Sequence, residues 1–221
     1  MSFAANDVVG RLWMPLDEFR AFQAVRPDHE RWELVDGVPV MMTPTQLGHA
    51  RIASNVERLL SDALEAHDPT RTALQNIGVD LGLAAETLAG LGRASGYAPQ
   101  PDVGVIDAEF DPEQRFAERL YVAVEVVSST DDEWLASAGM HWIEAKTRIY
   151  QAHPHCEAVI VVEQHRMQVR FSHRMDTGWQ TRTFTATEDD LVVPMCGLKC
   201  KIGDLYRGTP LAHALSPHRT I

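Results

Sequence analysis

Apolar Leu16, Phe19 and Phe22 recur at helical spacing over residues 15–25, behind Pro15 and beside Asp17 and Glu18, and predict a short helix that Pro27 stops. Strand-like alternation follows on both sides of Asp36-Gly37 within residues 31–42, the strongest short signal for a β-hairpin. Over residues 46–66, Ile52, Ala53, Val56, Leu59, Leu60, Ala63 and Leu64 fall on one stripe, which predicts an amphipathic helix packed on a sheet. His49 lies on the same stripe, one turn before Ala53.

Residues 71–81 alternate as a strand, and residues 82–100 collect glycines without periodicity and read as a loop. A short strand is expected at 101–107, an acidic connection at 107–118, and at 120–127 a continuous apolar run typical of a central strand buried on both faces. Capping residues at 128–132 predict a helix beginning there and running to about His153, where Pro154 ends it. Strand-like runs follow at 156–162, 167–171, 179–184 and 191–193, then a short segment at 204–206. The order predicts one α/β domain over residues 1–221: a mixed sheet flanked by two main helices, with an added N-terminal hairpin.

Function is best sought where this pattern is broken, because a buried polar group costs energy unless something compensates it. Glu125 interrupts the most apolar strand in the chain, and an ionised carboxylate there must be paired, hydrogen-bonded or metal-bound. Asp102 follows Pro101 at the head of another strand, with Val103, Val105 and Ile106 behind it. Two carboxylates entering from neighbouring strands form a hard-oxygen site of the kind Mg²⁺ or Mn²⁺ prefers. Lys146 shares a helix face with Trp142, Ile149, Tyr150 and His153, so it projects from the apolar stripe and wants a carboxylate or phosphate partner. One basic and two acidic groups on buried elements suit hydrolysis of a phosphodiester, in which a metal polarises phosphate and water and the ammonium stabilises developing charge.

Composition limits this picture. The 221 residues carry 20 Lys+Arg against 31 Asp+Glu, a formal charge of −11, so no global field attracts nucleic acid or an anionic membrane. Three cysteines, an odd number, make no disulfide framework and fit a reducing compartment, the cytoplasm. Neither a signal-peptide pattern nor an apolar run of membrane-spanning length is present, so no membrane partner is expected.

Taken in order, Trp32-Glu33-Leu34-Val35-Asp36-Gly37, His49, Pro101-Asp102-Val103, Val124-Glu125-Val126-Val127-Ser128, Lys146 with Tyr150, and Gly197-Leu198-Lys199 resemble the Uma-type family of the PD-(D/E)XK nuclease superfamily. The likeness runs from about residue 16 to 205 and implies a restriction-endonuclease-like core, a Mg²⁺ or Mn²⁺ cofactor and DNA as substrate. It also implies roles. Asp102 resembles the aspartate of the PD half-motif and Glu125 the acidic residue of the second, with the backbone carbonyl of Val126 facing the metal. The lysine usual two positions beyond the glutamate is replaced by Val127, and Lys146 resembles the lysine that this family carries on the following helix. Glu33 matches an additional N-terminal carboxylate, an auxiliary ligand, and His49 a histidine near the same pocket. A homodimer is expected, since two sites related by a two-fold axis cut both strands of a duplex most simply.

Plainer readings stand beside these. Glu125 could pair with Arg119 or Arg148, Glu33 could pair across its hairpin, His49 could be a hydrogen-bonded core histidine, and Lys146 could snorkel to water. Arg166, Arg170, His173, Arg174 and Arg182 could line a phosphate path, though a solvated hairpin explains them better. The −11 charge and the residue at Val127 also suit a catalytically inactive nuclease-fold module, and a hydrolase of small phosphorylated substrates would need no basic groove.

Overall fold

The computed structural model describes residues 13–27, 29–42, 44–81, 96–128, 131–136 and 138–213. The chain divides into two compact units, one from Met1–Pro44, Leu83–Pro99 and Ser137–Gly139, the other from Thr45–Gly82, Gln100–Ala136 and Met140–Ile221.

In the first unit, α1 (Leu16–Ala24) and the hairpin β1 (Trp32–Val35) and β2 (Val38–Met41) fall where the periodicity puts them. Asp36 and Gly37 both take positive φ, 51° and 75°, as a two-residue turn matched to strand twist requires. A side chain at Gly37 would also collide with the Trp13 ring, 2.0 Å from its ideal Cβ. Phe19, Leu34 and Ala98 form the small interior, with Phe22 set edge-on to Trp32 at 4.9 Å. Ala98 exchanges backbone hydrogen bonds with Leu34, so the end of the predicted loop is tied to the hairpin, while residues 82–95 of that loop lie outside the described residues.

The second unit is built on α2 (Leu47–His67) and a six-stranded mixed sheet. Its strands are β3 (Arg71–Gln75), β5 (Val103–Asp107), β7 (Val122–Val127), β10 (Ala158–Glu163), β11 (Val169–Met175) and β12 (Gly178–Phe184), in the spatial order β12-β11-β10-β7-β5-β3. Two-strand ladders join β4 (Gly78–Val79) to β6 (Phe116–Ala117), β8 (Trp134–Leu135) to β9 (Met140–His141), and β13 (Asp190–Val193) to β14 (Leu198–Lys201). Strand β7 is central: β10 pairs with it in parallel and β5 antiparallel, and all six of its residues are buried. Alternation divides it cleanly. Val122, Val124 and Val126 join Val103 and Val105 of β5 in the core with Ile52, Val56 and Leu60 of α2. Ala123, Glu125 and Val127 point the other way, toward α3 (Trp142–Ala152), which bonds to Glu125.

One expectation is corrected. No helix begins at 131–136; that stretch carries β8, and α3 starts at Trp142. The carbonyls of Glu133 and Asp131 accept the N–H groups of Trp142 and Ile143, so the segment caps α3 through its backbone rather than by opening the helix itself. The far end of α3 is covered by Arg174, whose guanidinium donates to the carbonyls of Gln151, His153 and Pro154.

The C-terminal segment forms α4 (Ile202–Leu205), and Tyr206 behind it staples a turn. Its hydroxyl lies 3.0–3.2 Å from the carbonyls of Glu163, Arg166 and Gln168 and accepts the Gln168 N–H, bracing the link between β10 and β11. Burial pushes this phenol up to about 12. Tyr206→Phe strands buried backbone groups and should cost about 1–3 kcal/mol, read as a lower urea midpoint at unchanged m-value.

Candidate active site

Strand register brings the two predicted carboxylates together. Val103 of β5 lies opposite Val124 of β7 at the last pair of an antiparallel ladder, so Asp102, just before Val103, and Glu125, just after Val124, sit at the same end of neighbouring strands. Both are buried, Asp102 at 8% exposure and Glu125 at 1%. Asp102 is anchored twice: Oδ2 accepts the Val126 N–H at 2.8 Å, and Oδ1 lies 3.1 Å from Nε2 of His49, in the first turn of α2. The histidine expected near the pocket therefore touches the aspartate.

Glu125 is held from α3. Lys146 Nζ donates to its Oε2 at 3.0 Å and the Tyr150 hydroxyl to its Oε1 at 2.6 Å. The predicted stripe on α3 explains both contacts, because Lys146 and Tyr150 are one turn apart on the buried face. Lys146 does not snorkel; it is 2% exposed, and its ammonium lies 5.7 Å from the centre of the Trp142 ring. Of the arginines considered as structural partners, Arg119 pairs with Asp107 at 2.7 Å.

Asp131 joins this group unannounced by the sequence pattern. Its Oδ1 lies 2.9 Å from Lys146 Nζ, and its Oδ2 accepts from Ser128 N–H at 2.9 Å and Ser128 Oγ–H at 2.6 Å. Burial pushes the carboxyl up, yet the Lys146 ammonium and the Ser128 bonds outweigh burial and hold it below its ordinary 3.8. Capping chemistry at 128–132 masked it, since an aspartate among serines reads as a turn residue. Tyr150 carried a weak signal, because a buried phenol needs a hydrogen-bond partner and the nearest candidate was Glu125.

In the second unit Asp102, His49 and the Val126 N–H form one buried cluster and Glu125, Lys146, Asp131 and Tyr150 another, joined by the Glu125–Val126 step of β7. Glu33 is buried on β1 in the first unit, opposite Val40 in the hairpin. Among the described residues, no three or more His, Cys, Asp or Glu side chains converge as a ready-made metal cage. Cys156, Cys196 and Cys200 are free and buried, and burial pushes each thiol up to about 12, which disfavours thiolate ligands. The basic group on the later strands serves the fold: Arg170 pairs with Glu144 and Arg166 with Glu163, while Arg174 caps α3.

Comparison with known proteins gives two findings. The family model Uma2, described as "Putative restriction endonuclease", matches residues 16–201. Among solved structures, the chain is similar to that of "a putative nuclease belonging to DUF820" from Anabaena variabilis, with a TM-score of 0.62 and 14% identity over 87% of this chain and 97% of that one. At that identity the likeness speaks for the fold, and the restriction-endonuclease-like α/β architecture expected from the sequence is the one observed. No curated protein matches the chain.

Proposed function

Because the chain belongs to the Uma2 family, we propose that it is a divalent-metal-dependent endonuclease that hydrolyses DNA phosphodiester bonds, with Asp102 and Glu125 as the protein's metal ligands. The observation that supports this reading is that two buried carboxylates sit at the same end of the neighbouring strands β5 and β7, one of them bonded to a buried ammonium. Two carboxylates are a sufficient anchor for Mg²⁺, which keeps several waters and takes one or two carboxylates together with substrate phosphates, so the donor set fits although it is no closed cage. A bound Mg²⁺ or Mn²⁺ would polarise the phosphate and lower the pKa of an attacking water.

The chain's own residues do the positioning. His49 and the Val126 N–H fix the two oxygens of Asp102, and Tyr150 fixes one oxygen of Glu125. The Lys146 ammonium supplies positive charge beside Glu125, where charge develops on the phosphate during transfer. The Val126 carbonyl is proposed to complete the donor set. The net charge of −11 is consistent with weak, salt-sensitive DNA binding, because local groups rather than the global field govern contact. A homodimer acting in the cytoplasm completes the proposal.

The test is direct. Purified protein should nick supercoiled plasmid in Mg²⁺ or Mn²⁺ and stop in EDTA, and Asp102→Asn should be slower by about 100-fold or more, given several kcal/mol of metal-supported stabilisation. Equal nicking by both proteins would mean a contaminating nuclease and defeat the reading.

A further inference from the structure

The Lys146 ammonium stands between two buried carboxylates, 3.0 Å from Glu125 Oε2 and 2.9 Å from Asp131 Oδ1. A cation and an ammonium sharing one carboxylate oxygen repel each other, so Lys146 competes with any divalent ion for Glu125. If Lys146 had to give up an anionic partner in this dry setting, cation binding would carry the cost of stranding a buried charge. Asp131 removes that cost. Ser128 anchors its Oδ2 through two hydrogen bonds, while its Oδ1 faces Lys146.

We propose that Asp131 is a positioning residue for the cation site: it retains the Lys146 ammonium so that Glu125 can offer Oε2 to a divalent ion while Nζ keeps an anionic partner. This rests on Asp102 and Glu125 being the metal ligands. Lys146 is then an internal competitor of the metal, and Asp131 sets how hard it competes.

Mn²⁺ binding to the full chain, followed by calorimetry without substrate, tests the idea. Asp131→Asn should weaken Mn²⁺ binding by about 10–100-fold, the range seen when partners of metal ligands are removed. Lys146→Gln placed on top of Asp131→Asn should restore most of the lost affinity, because the competitor leaves together with its second partner. Two purely structural defects would instead add, leaving the double variant weaker than either single one. Ser128→Ala, a milder change that loosens Asp131 by one bond, should shift Mn²⁺ affinity in the same direction as Asp131→Asn. Unchanged binding in Asp131→Asn and Ser128→Ala, or a double variant weaker than Asp131→Asn, would overturn the role of Asp131 and leave the ligand assignment standing. Wild-type protein that takes up no Mn²⁺ would overturn both.

Discussion

Glu125→Gln is expected to lose plasmid cleavage by about 10³-fold at saturating Mg²⁺, corresponding to about 4 kcal/mol of transition-state stabilisation. The amide keeps the shape of the glutamate, its one oxygen can still accept from Lys146 and its NH2 can donate to the Tyr150 hydroxyl, so the effect on chemistry should far exceed the effect on folding. What it removes is the buried negative charge on β7. Circular dichroism and a urea titration should show a folded protein, and nicking assays over a range of Mg²⁺ should show that excess metal does not restore the rate. Recovery of wild-type cleavage at high Mg²⁺ would demote Glu125 from ligand to outer partner.

Lys146→Met should give the largest loss of stability. Methionine matches the lysine stem, so packing under Trp142 is nearly kept, but two buried carboxylates lose the cation between them. Breaking a buried ion pair by removing one partner costs about 3–5 kcal/mol. The pH dependence carries the diagnostic sign. In the wild type the folded-state pKa of Asp131 lies below its ordinary 3.8, so its contribution is fully present above that value and is lost as pH falls through the depressed folded pKa. In the variant burial still pushes the Asp131 carboxyl up and only the Ser128 bonds oppose it, so acid should relieve part of the defect. Urea unfolding at pH 7 and pH 4 should show the gap between the two proteins narrowing with acid; a constant gap would mean that lost packing, rather than stranded charge, explains the damage.

Much of this site was legible before any coordinates because each main member broke a pattern. Glu125 stood alone in an apolar run, Asp102 headed a strand, and Lys146 sat on the wrong side of an amphipathic helix. Burial turned each anomaly into a demand for a partner, and the partners proved to be one another or near neighbours. Asp131 escaped because its local sequence already had an adequate explanation, and spacing cannot tell a carboxylate that caps a turn from one that also holds a lysine. The small ladders β4–β6 and β8–β9 escaped for another reason: two-residue strands are too short to carry a period. The long regular elements, α1, the first hairpin, α2 and the six strands of the main sheet, did carry one and lie close to where it places them. Glu33, matched by resemblance alone, is buried on β1 in the first unit.

The alternation of β5 has a consequence for how this protein can change over time. Val103 and Val105 pack toward α2, so a single-residue insertion or deletion after Asp102 would rotate the strand by one face, send valines toward α3 and put glycine and isoleucine in the α2 core. The core would fail before a chain with a misplaced aspartate could persist. Lineages can therefore drift freely in the identity of those apolar residues, whereas their number is frozen, and the placement of Asp102 is inherited as a by-product of keeping oil on one side of a sheet.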